Sequence, residues 1–307
     1  MKTILTTLFA IAISTTAIAQ QPDKALIRVK YALSHLSDTT KRDNFYKETM
    51  MLVAGKNASV FLSYDKVLRD MQAKEALQEQ VKQQVSNGGL KSITMPPRKR
   101  QFSETEFYYY ANEAKLFTKE QLGVTYLVEE NAEKIDWKIM PETLNIEGIS
   151  CKKATANFRG RNWTAWFAEE LPFASGPWKL VGLPGLIIQA YDEQKEVSFD
   201  FAGLESIAEN KNKATENSLG EYDIKKYGSS NVLSDNEIKL PAGAVKATIK
   251  EIKRLREARA NDPQGFAKAQ MAAMGLGGLQ QVSTGNRTTA PIPATVFNNP
   301  IEKKSPN

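Results

Sequence analysis

The chain has 307 residues, of which 41% are hydrophobic and 25% are charged, and its formal net charge is +6. This composition is typical of a globular protein. No basic face interleaved with aromatic residues is visible, which excludes the usual nucleic-acid-binding classes. The sequence holds one cysteine and one histidine, Cys151 and His35. An internal disulfide is therefore impossible, the usual zinc-ligand spacings are absent, and no motif for a cofactor is found.

The first 19 residues have the features of a secretory signal peptide. Lys2 supplies the positive charge, residues 4–13 form the apolar segment, and Ala17 and Ala19 give a small-x-small cleavage site. We predict cleavage after Ala19 and an exported protein of the periplasm or the outer-membrane periphery. No second long apolar stretch follows, so no transmembrane segment is expected after cleavage.

The first half of the chain has the alternating pattern of antiparallel strands. At residues 66–86 the apolar period lengthens to about 3.6, which predicts a surface helix with a thin apolar stripe. Turns are predicted at Pro141 and at Glu147 and Gly148. The predicted strands are residues 25–33, 44–53, 58–64, 104–112, 116–118, 124–129 and 135–139.

Two hairpins are predicted in the central segment, which also holds three of the four tryptophans. Residues 150–158 are expected to pair with 163–168, and residues 186–191 with 196–201, giving four antiparallel strands. The crossover between the hairpins, residues 171–184, contains three prolines and two glycines, and it is therefore expected to be stiff. Trp178 in this crossover is either a plug over the sheet or a binding surface, because a large aromatic side chain is costly to leave in water.

The last part of the chain is predicted to contain a polar loop and two helices. The loop covers residues 210–234, and the helices cover residues 242–261 and 266–274. Of the C-terminal residues, only 297–302 are expected to dock on the domain. The predicted organisation is a signal peptide at 1–19, a single β-rich domain at 20–262 with a helical insertion near 66–86, and a flexible extension at 263–307.

The order of these elements predicts an α+β fold. We expect one curved antiparallel β-sheet, an open half-barrel-like meander around an apolar interior, with two or three helices packed on it.

Residues 182–187 read Gly-Leu-Pro-Gly-Leu-Ile. The motif resembles the signature of the GLPGLI family, secreted proteins of Bacteroidetes-type bacteria with no established activity. The resemblance covers residues 134–191 and implies an exported, mostly β protein with no catalytic residues. It is carried by Ile135, Asp136, Trp137, Gly148, Cys151, Ala154, Phe158, Arg159, Gly160, Arg161, Trp163, Ala165, Trp166, Phe167, Pro172, Gly176, Pro177, Trp178 and Lys179.

The leading hypothesis for function is a non-enzymatic binding protein for an apolar ligand or an outer-membrane transport partner. One alternative is a carboxylate-based hydrolase that uses Glu169, Glu170 or Asp192, and another is a purely structural envelope protein. We expect Cys151 to be buried. We expect His35 to lie at the surface or to be satisfied by a neighbour, rather than to be part of a catalytic triad. The candidate binding residues are Trp163, Trp166, Gly176, Pro177, Trp178, Gly182, Leu183, Pro184, Gly185, Leu186 and Ile187.

Overall fold

The computed structural model describes residues 21–86, 102–207, 236–273 and 298–303. Within these ranges the chain forms short and long strands and three helices. The helices are α1 (Tyr64–Ser86), α2 (Ile249–Asn261) and α3 (Pro263–Ala273). The strands are β1 (Asp23–Lys24), β2 (Ile27–His35), β3 (Tyr46–Ala54), β4 (Ala58–Ser63), β5 (Glu106–Tyr110), β6 (Lys115–Leu122), β7 (Val124–Asn131), β8 (Lys138–Ile146), β9 (Ile149–Phe158), β10 (Arg161–Ala168), β11 (Leu186–Asp192), β12 (Val197–Ser206), β13 (Glu237–Ile238) and β14 (Val245–Lys246).

Twelve of the described strands form one sheet in the order β14-β7-β6-β5-β4-β3-β2-β12-β11-β10-β9-β8. It consists of two antiparallel meanders, β2 to β7 and β8 to β12, which join where β12 pairs with β2. The short β14 adds a parallel strand beside β7. The two hairpins predicted in the central segment are confirmed as β9–β10 and β11–β12, and they lie side by side through β10 and β11.

The sheet is strongly curved, as the connection between its two meanders shows. β7 and β8 are the second and twelfth strands in the sheet order, so in a flat sheet ten spacings would place them about 48 Å apart. The six residues 132–137 that join them can span at most about 25 Å. The predicted α+β fold, with an open, curved, mostly antiparallel sheet, is therefore confirmed.

Both faces of the sheet are covered, because alternate residues of its central strands enter different cores. Met50 and Leu52 of β3 face one core, which also holds Trp163 and Phe199 and is called the inner core. Met51 and Val53 face the core on the other side of the sheet, which also holds the buried side chains of α1 and is called the outer core. Helix α1 packs on the outer face, and the rest of the helix is largely exposed, as its thin apolar stripe predicted. Its buried side chains are Tyr64, Val67 and Met71.

Strand β8 runs through the position at which a turn was predicted, so the prediction at Pro141 is wrong. The register is irregular between Ile139, which pairs with Ala154, and Thr143, which pairs with Lys152. Because β8 is the last strand of the sheet, the missing N–H of Pro141 removes no bond from a second neighbour. The turn at Glu147 and Gly148 is confirmed, and Gly148 there has φ +90°.

Helix α2 begins at Ile249 rather than at residue 242. Thr248 caps it: its hydroxyl accepts a bond from the backbone N–H of Glu251 (3.2 Å), and the carboxylate of Glu251 accepts from the backbone N–H of Thr248 (2.7 Å). The helix packs on the sheet as predicted, through Ile252 against Leu122 and Val128.

Several predictions fall outside the described residues. They are the leader, the loop at 210–234, and the extension beyond residue 273 except for residues 298–303. No helix of the described ranges has the length and hydrophobicity needed to cross a bilayer.

Candidate functional site

The crossover between β10 and β11 fills the inner side of the curved sheet. Trp178, Leu180 and Leu183 are buried in the inner core together with the strands' own side chains. Of the two arrangements that the sequence leaves open for Trp178, the structure has the plug. The burial of this indole and two leucines makes the crossover part of the core.

Trp178 is held in a row of aromatic rings. Its ring centroid lies 5.7 Å from that of Trp163 and 5.8 Å from that of Phe158, and Trp163 stacks on Phe199 at 6.3 Å. Trp178 has a positive φ of 56°, a conformation that costs a bulky residue about 1–3 kcal/mol. The surrounding rings therefore hold the backbone in a conformation that the residue alone would avoid.

Two glycines of the candidate site allow the crossover to lie directly on the sheet. A Cβ at Gly185 would lie 2.2 Å from the carbonyl oxygen of Ala168, and one at Gly176 would lie 2.7 Å from Cδ1 of Ile187. Any side chain at these positions would push the crossover away from the strands. At Gly185 the backbone therefore approaches the protein's own sheet closely.

The Gly-Leu-Pro-Gly-Leu-Ile motif divides between core and surface. Its three large side chains are buried, and the carbonyl oxygen of Ile187 accepts a 2.6 Å bond from the buried hydroxyl of Tyr31. Gly182 and Pro184 are exposed, as is Pro172 earlier in the crossover. Of the remaining candidates, Trp163 and Pro177 are buried and Trp166 is half-buried at the margin of the inner core.

Beside the crossover, β8 carries an apolar surface that the sequence analysis did not single out. Ile139, Met140 and Leu144 are 51%, 36% and 42% exposed, and we call these three side chains the edge surface. Leu144 lies opposite the buried Cys151, and Ile139 opposite the buried Ala154. Directly opposite residues of antiparallel strands share a face, so these two side chains continue the inner core to the open edge.

A hydrogen bond joins the edge strand's entry segment to the crossover. The indole N–H of Trp137, next to β8, donates to the carbonyl oxygen of Val181 at 2.9 Å. The residue that precedes β8 is therefore bonded to the crossover, which is itself buried in the inner core.

The C-terminal residues 298–303 dock at the other end of the central hairpins, as expected for most of this segment; Phe297 lies outside the described residues. The buried Arg161 side chain donates to the Asp192 carboxylate (2.5 Å) and to the Asn299 side-chain oxygen (2.8 Å). It also donates to the carbonyl oxygens of Pro300 and Ile301, both at 2.8 Å. One guanidinium thus joins β10, β11 and the C-terminal segment.

His35 is buried at the end of β2 and is satisfied by this segment, as expected. Its Nε2 donates to the carbonyl oxygen of Asn299 at 2.7 Å. Burial lowers the pKa of His35 below its ordinary value, and the charge of Arg161 lowers it further, although the bond to Asn299 and the carboxylates of Asp192 and Glu196 oppose these effects. A neutral imidazole bonded to a main-chain carbonyl has a structural role here.

The carboxylates considered for hydrolysis are not brought together. Both oxygens of the buried Asp192 are engaged, one by Arg161 and the other by the backbone N–H of Val197 at 2.8 Å. Glu169 and Glu170 are exposed, and Glu169 pairs with Lys152 at 2.7 Å. Among the described residues, no group of three or more histidine, cysteine or acidic side chains could hold a metal ion.

Cys151 is buried, as predicted, on the inner side of β9. Burial, with a smaller effect from the charge of Glu170, raises the pKa of its thiol to about 11. The thiol is therefore protonated at neutral pH and is not a nucleophile.

An open groove of about 590 Å³ lies between the sheet and the start of α2. The apolar side chain of Ile249 projects there with most of its surface exposed. The lining consists of Phe117, Leu127, Glu129, Lys246, Ala247, Thr248, Ile249, Lys250 and Glu251.

Comparison with known proteins gives a family match in the central segment of the chain. A family model described as a protein of unknown function (Porph_ging) matches residues 158–189. These residues comprise β10, the crossover and most of β11. No curated protein matches the chain significantly.

Two solved structures share a general similarity with the chain, "Structure of PNGF-II in P21 space group" and "Structure of PNGF-II in C2 space group". Their sequences are 11% and 12% identical to the chain, each with a TM-score of 0.46 and a coverage of 75% of this chain. The chain spans about a third of the length of either, 33% and 32%.

Proposed function

We propose that the chain is an exported, non-enzymatic binding protein of the periplasm or outer-membrane periphery that docks on an outer-membrane transport partner. The observation that carries this proposal is the edge surface, Ile139, Met140 and Leu144. Single exposed aliphatic side chains are normal on protein surfaces. Three exposed aliphatic side chains within six consecutive residues of an edge strand give an apolar surface that a partner can cover.

The irregular centre of β8 defines how a partner would bind. Pro141 and the register shift around it interrupt the outer edge, and such features prevent an added strand from pairing along the whole length. The charged side chains of Lys138 and Glu142 flank the apolar residues. The proposed partner therefore contacts the edge surface mainly through side chains, with polar contacts around it.

In this proposal the candidate residues of the crossover contribute in two ways. The buried members, Trp178 and Leu183 among them, fix the crossover in the core. The crossover in turn holds the start of β8 through the bond between Trp137 and Val181. The exposed Gly182 and Pro184 lie on the same crossover and extend the contact. We also propose membership of the GLPGLI family, which the motif and the position of the matched residues 158–189 support.

Native capture from envelope extract, with mass spectrometry of the captured protein and lipid, tests the proposal. We expect the mature chain to enrich an outer-membrane transport protein, and the double variant Ile139→Asn and Leu144→Asn to lose it. Val85→Asn is the matched control, because Val85 is 63% exposed on α1, which packs on the opposite face. An equal yield from both variants would overturn the docking surface, and an empty capture would favour a purely structural role.

A second candidate function is the binding of an apolar ligand, which the groove beside α2 favours. Its floor is formed by Phe117 and Leu127, and Ile249 forms an apolar wall. An environment-sensitive apolar dye should bind there and be lost in Ile249→Asp, whereas the edge variants should retain it. Binding that is unaffected by Ile249→Asp would remove this candidate.

A further inference from the structure

The contacts of residues 298–303 are those of a peptide in a recognition site. The backbone N–H groups of Asn298 and Asn299 both donate to the carbonyl oxygen of Ser37, at 3.1 and 3.2 Å. The carbonyl oxygens of Asn299, Pro300 and Ile301 accept bonds from His35 and Arg161, as described above. Main-chain groups from the start to the middle of the segment thus have partners on the domain.

Side chains of the segment are also recognised individually. The buried Asn299 amide donates to the carbonyl oxygen of Leu36 (2.7 Å) and to Glu196 (3.0 Å), while its oxygen accepts from Arg161. No aspartate could replace it, because a carboxylate cannot donate these two bonds. Ile301 packs against the inner core.

The acidic residue of the segment meets two cations. Glu302 pairs with Lys179 at 3.1 Å and with Arg159. Partial burial opposes ionisation, but the charges of Lys179 and Arg159 hold the pKa of Glu302 below its ordinary value. At Gly160, a Cβ would lie 2.8 Å from Cβ of Lys303, so the segment lies directly on the hairpin turn.

We propose that this pocket, formed by His35, Ser37, Arg161 and Lys179, is a recognition site for an extended peptide with the order amide, proline, aliphatic, acid. The chain's own C-terminal segment fills the pocket in the structure, and the further occupant of the proposal is the same segment from a second copy of this chain. The 24 residues 274–297 join the segment to α3, and a chain of that length spans up to about 80 Å. Such a connection reaches the pocket of a neighbouring copy.

One part of the pocket is held in place by a bond that does not involve the segment. Asp192, which belongs to β11, fixes the guanidinium of Arg161 independently of the segment. The Nε and Nη2 donors of Arg161 take their acceptors from Asn299, Pro300 and Ile301 of the segment. The pocket therefore favours any segment that supplies the same acceptors in the same order.

A labelled peptide with the sequence of residues 297–304 tests the site on the full chain. It should bind the variant Asn299→Ala, whose own segment is weakened, about tenfold or more tightly than the wild type, because lost hydrogen bonds to a charged group free the pocket. The same peptide with alanine for its second asparagine is the matched control and should bind about tenfold or more weakly. If Asn299→Ala does not fold, the milder Glu302→Gln serves as the host.

Exchange between copies is tested by mixing two full-length variants. Asn299→Ala retains the pocket, and Arg161→Lys retains the segment, so a 1:1 complex should form on mixing and neither variant alone should dimerise. Peptide binding that is no tighter for the weakened hosts than for the wild type, or that ignores the alanine control, would overturn the site. A mixture that stays monomeric although the peptide binds would overturn the second copy as occupant. The edge surface plays no part in these assays, so they fail or succeed independently of the docking proposal.

Discussion

The crossover and strand β8 are neighbours with similar composition and opposite surroundings. Both carry large aliphatic side chains around a proline, and Trp137 joins them by a hydrogen bond. Leu183 of the crossover is 1% exposed, whereas Leu144 of β8 is 42% exposed. The difference indicates that the large side chains of the Gly-Leu-Pro-Gly-Leu-Ile motif stabilise the fold. The exposed aliphatic side chains, on which the docking proposal rests, belong to β8.

Sheet topology explains this difference. The crossover lies inside the curve of the sheet, where aromatic rings from β9, β10 and β12 surround it. Among the strands that the structure describes, β8 has a neighbour only on the side of β9. Burial of apolar area stabilises the first segment, and the same side chains in the second segment remain available for binding.

Truncation of Trp178 should cause the largest effect on the side of the crossover. We expect Trp178→Ala to lower the free energy of unfolding by about 3–5 kcal/mol, because it empties the centre of the aromatic row. Urea denaturation followed by circular dichroism measures this loss. A decrease below about 1 kcal/mol, the range typical of surface positions, would contradict the plug.

A side chain at Gly185 should have the next largest effect. Gly185→Ala places a Cβ 2.2 Å from the carbonyl oxygen of Ala168, and we expect a loss of about 1–3 kcal/mol from this overpacking. Gly148→Ala is the contrast, since a Cβ there meets no atom within 4 Å and only the φ of +90° opposes it. Equal unfolding midpoints for Gly185→Ala and the wild type would show that the crossover does not lie on the sheet.

Acid should weaken the contacts of His35 first and those of Glu196 at lower pH. Burial lowers the pKa of His35 from 6.5 in the folded chain, so its contribution is fully present above that pH and is lost as the pH falls below it. Denaturation midpoints should therefore decline from about pH 6.5 downward, and His35→Gln should reduce the slope. Partial burial opposes ionisation of Glu196, but bonds from Lys303 and Asn299 lower its pKa from 4.5; its effect therefore belongs to a more acidic range. An unchanged slope in His35→Gln would refute the assignment.

Local patterns in the sequence predicted the hairpins and the stiffness of the crossover. These patterns are local: they are the alternation around Trp163 and the glycines and prolines of the crossover. They were sufficient to predict the fold class. They did not decide between plug and surface for Trp178, because that depends on how far the sheet curves. The single-domain organisation and the signal peptide remain predictions.

The rest of the site depends on contacts that no local pattern encodes. Arg161 and Asn299 are 138 residues apart in the chain, and their pairing became visible only with the fold. The edge position of β8 follows from the pairing of β12 with β2, which reverses the strand order. Proline is rare inside strands, so the sequence alone predicts a turn at Pro141. Edge strands such as β8 are the exception, because they tolerate proline.

The most direct test of the contrast between the two segments makes the same substitution in each. Leu183→Ala and Leu144→Ala remove identical atoms, and their free energies of unfolding should be measured side by side by urea denaturation. We expect Leu183→Ala to cost about 2–5 kcal/mol and Leu144→Ala less than about 1 kcal/mol. Equal losses, or a larger loss at Leu144, would contradict the assignment of the crossover to the core and of β8 to the surface.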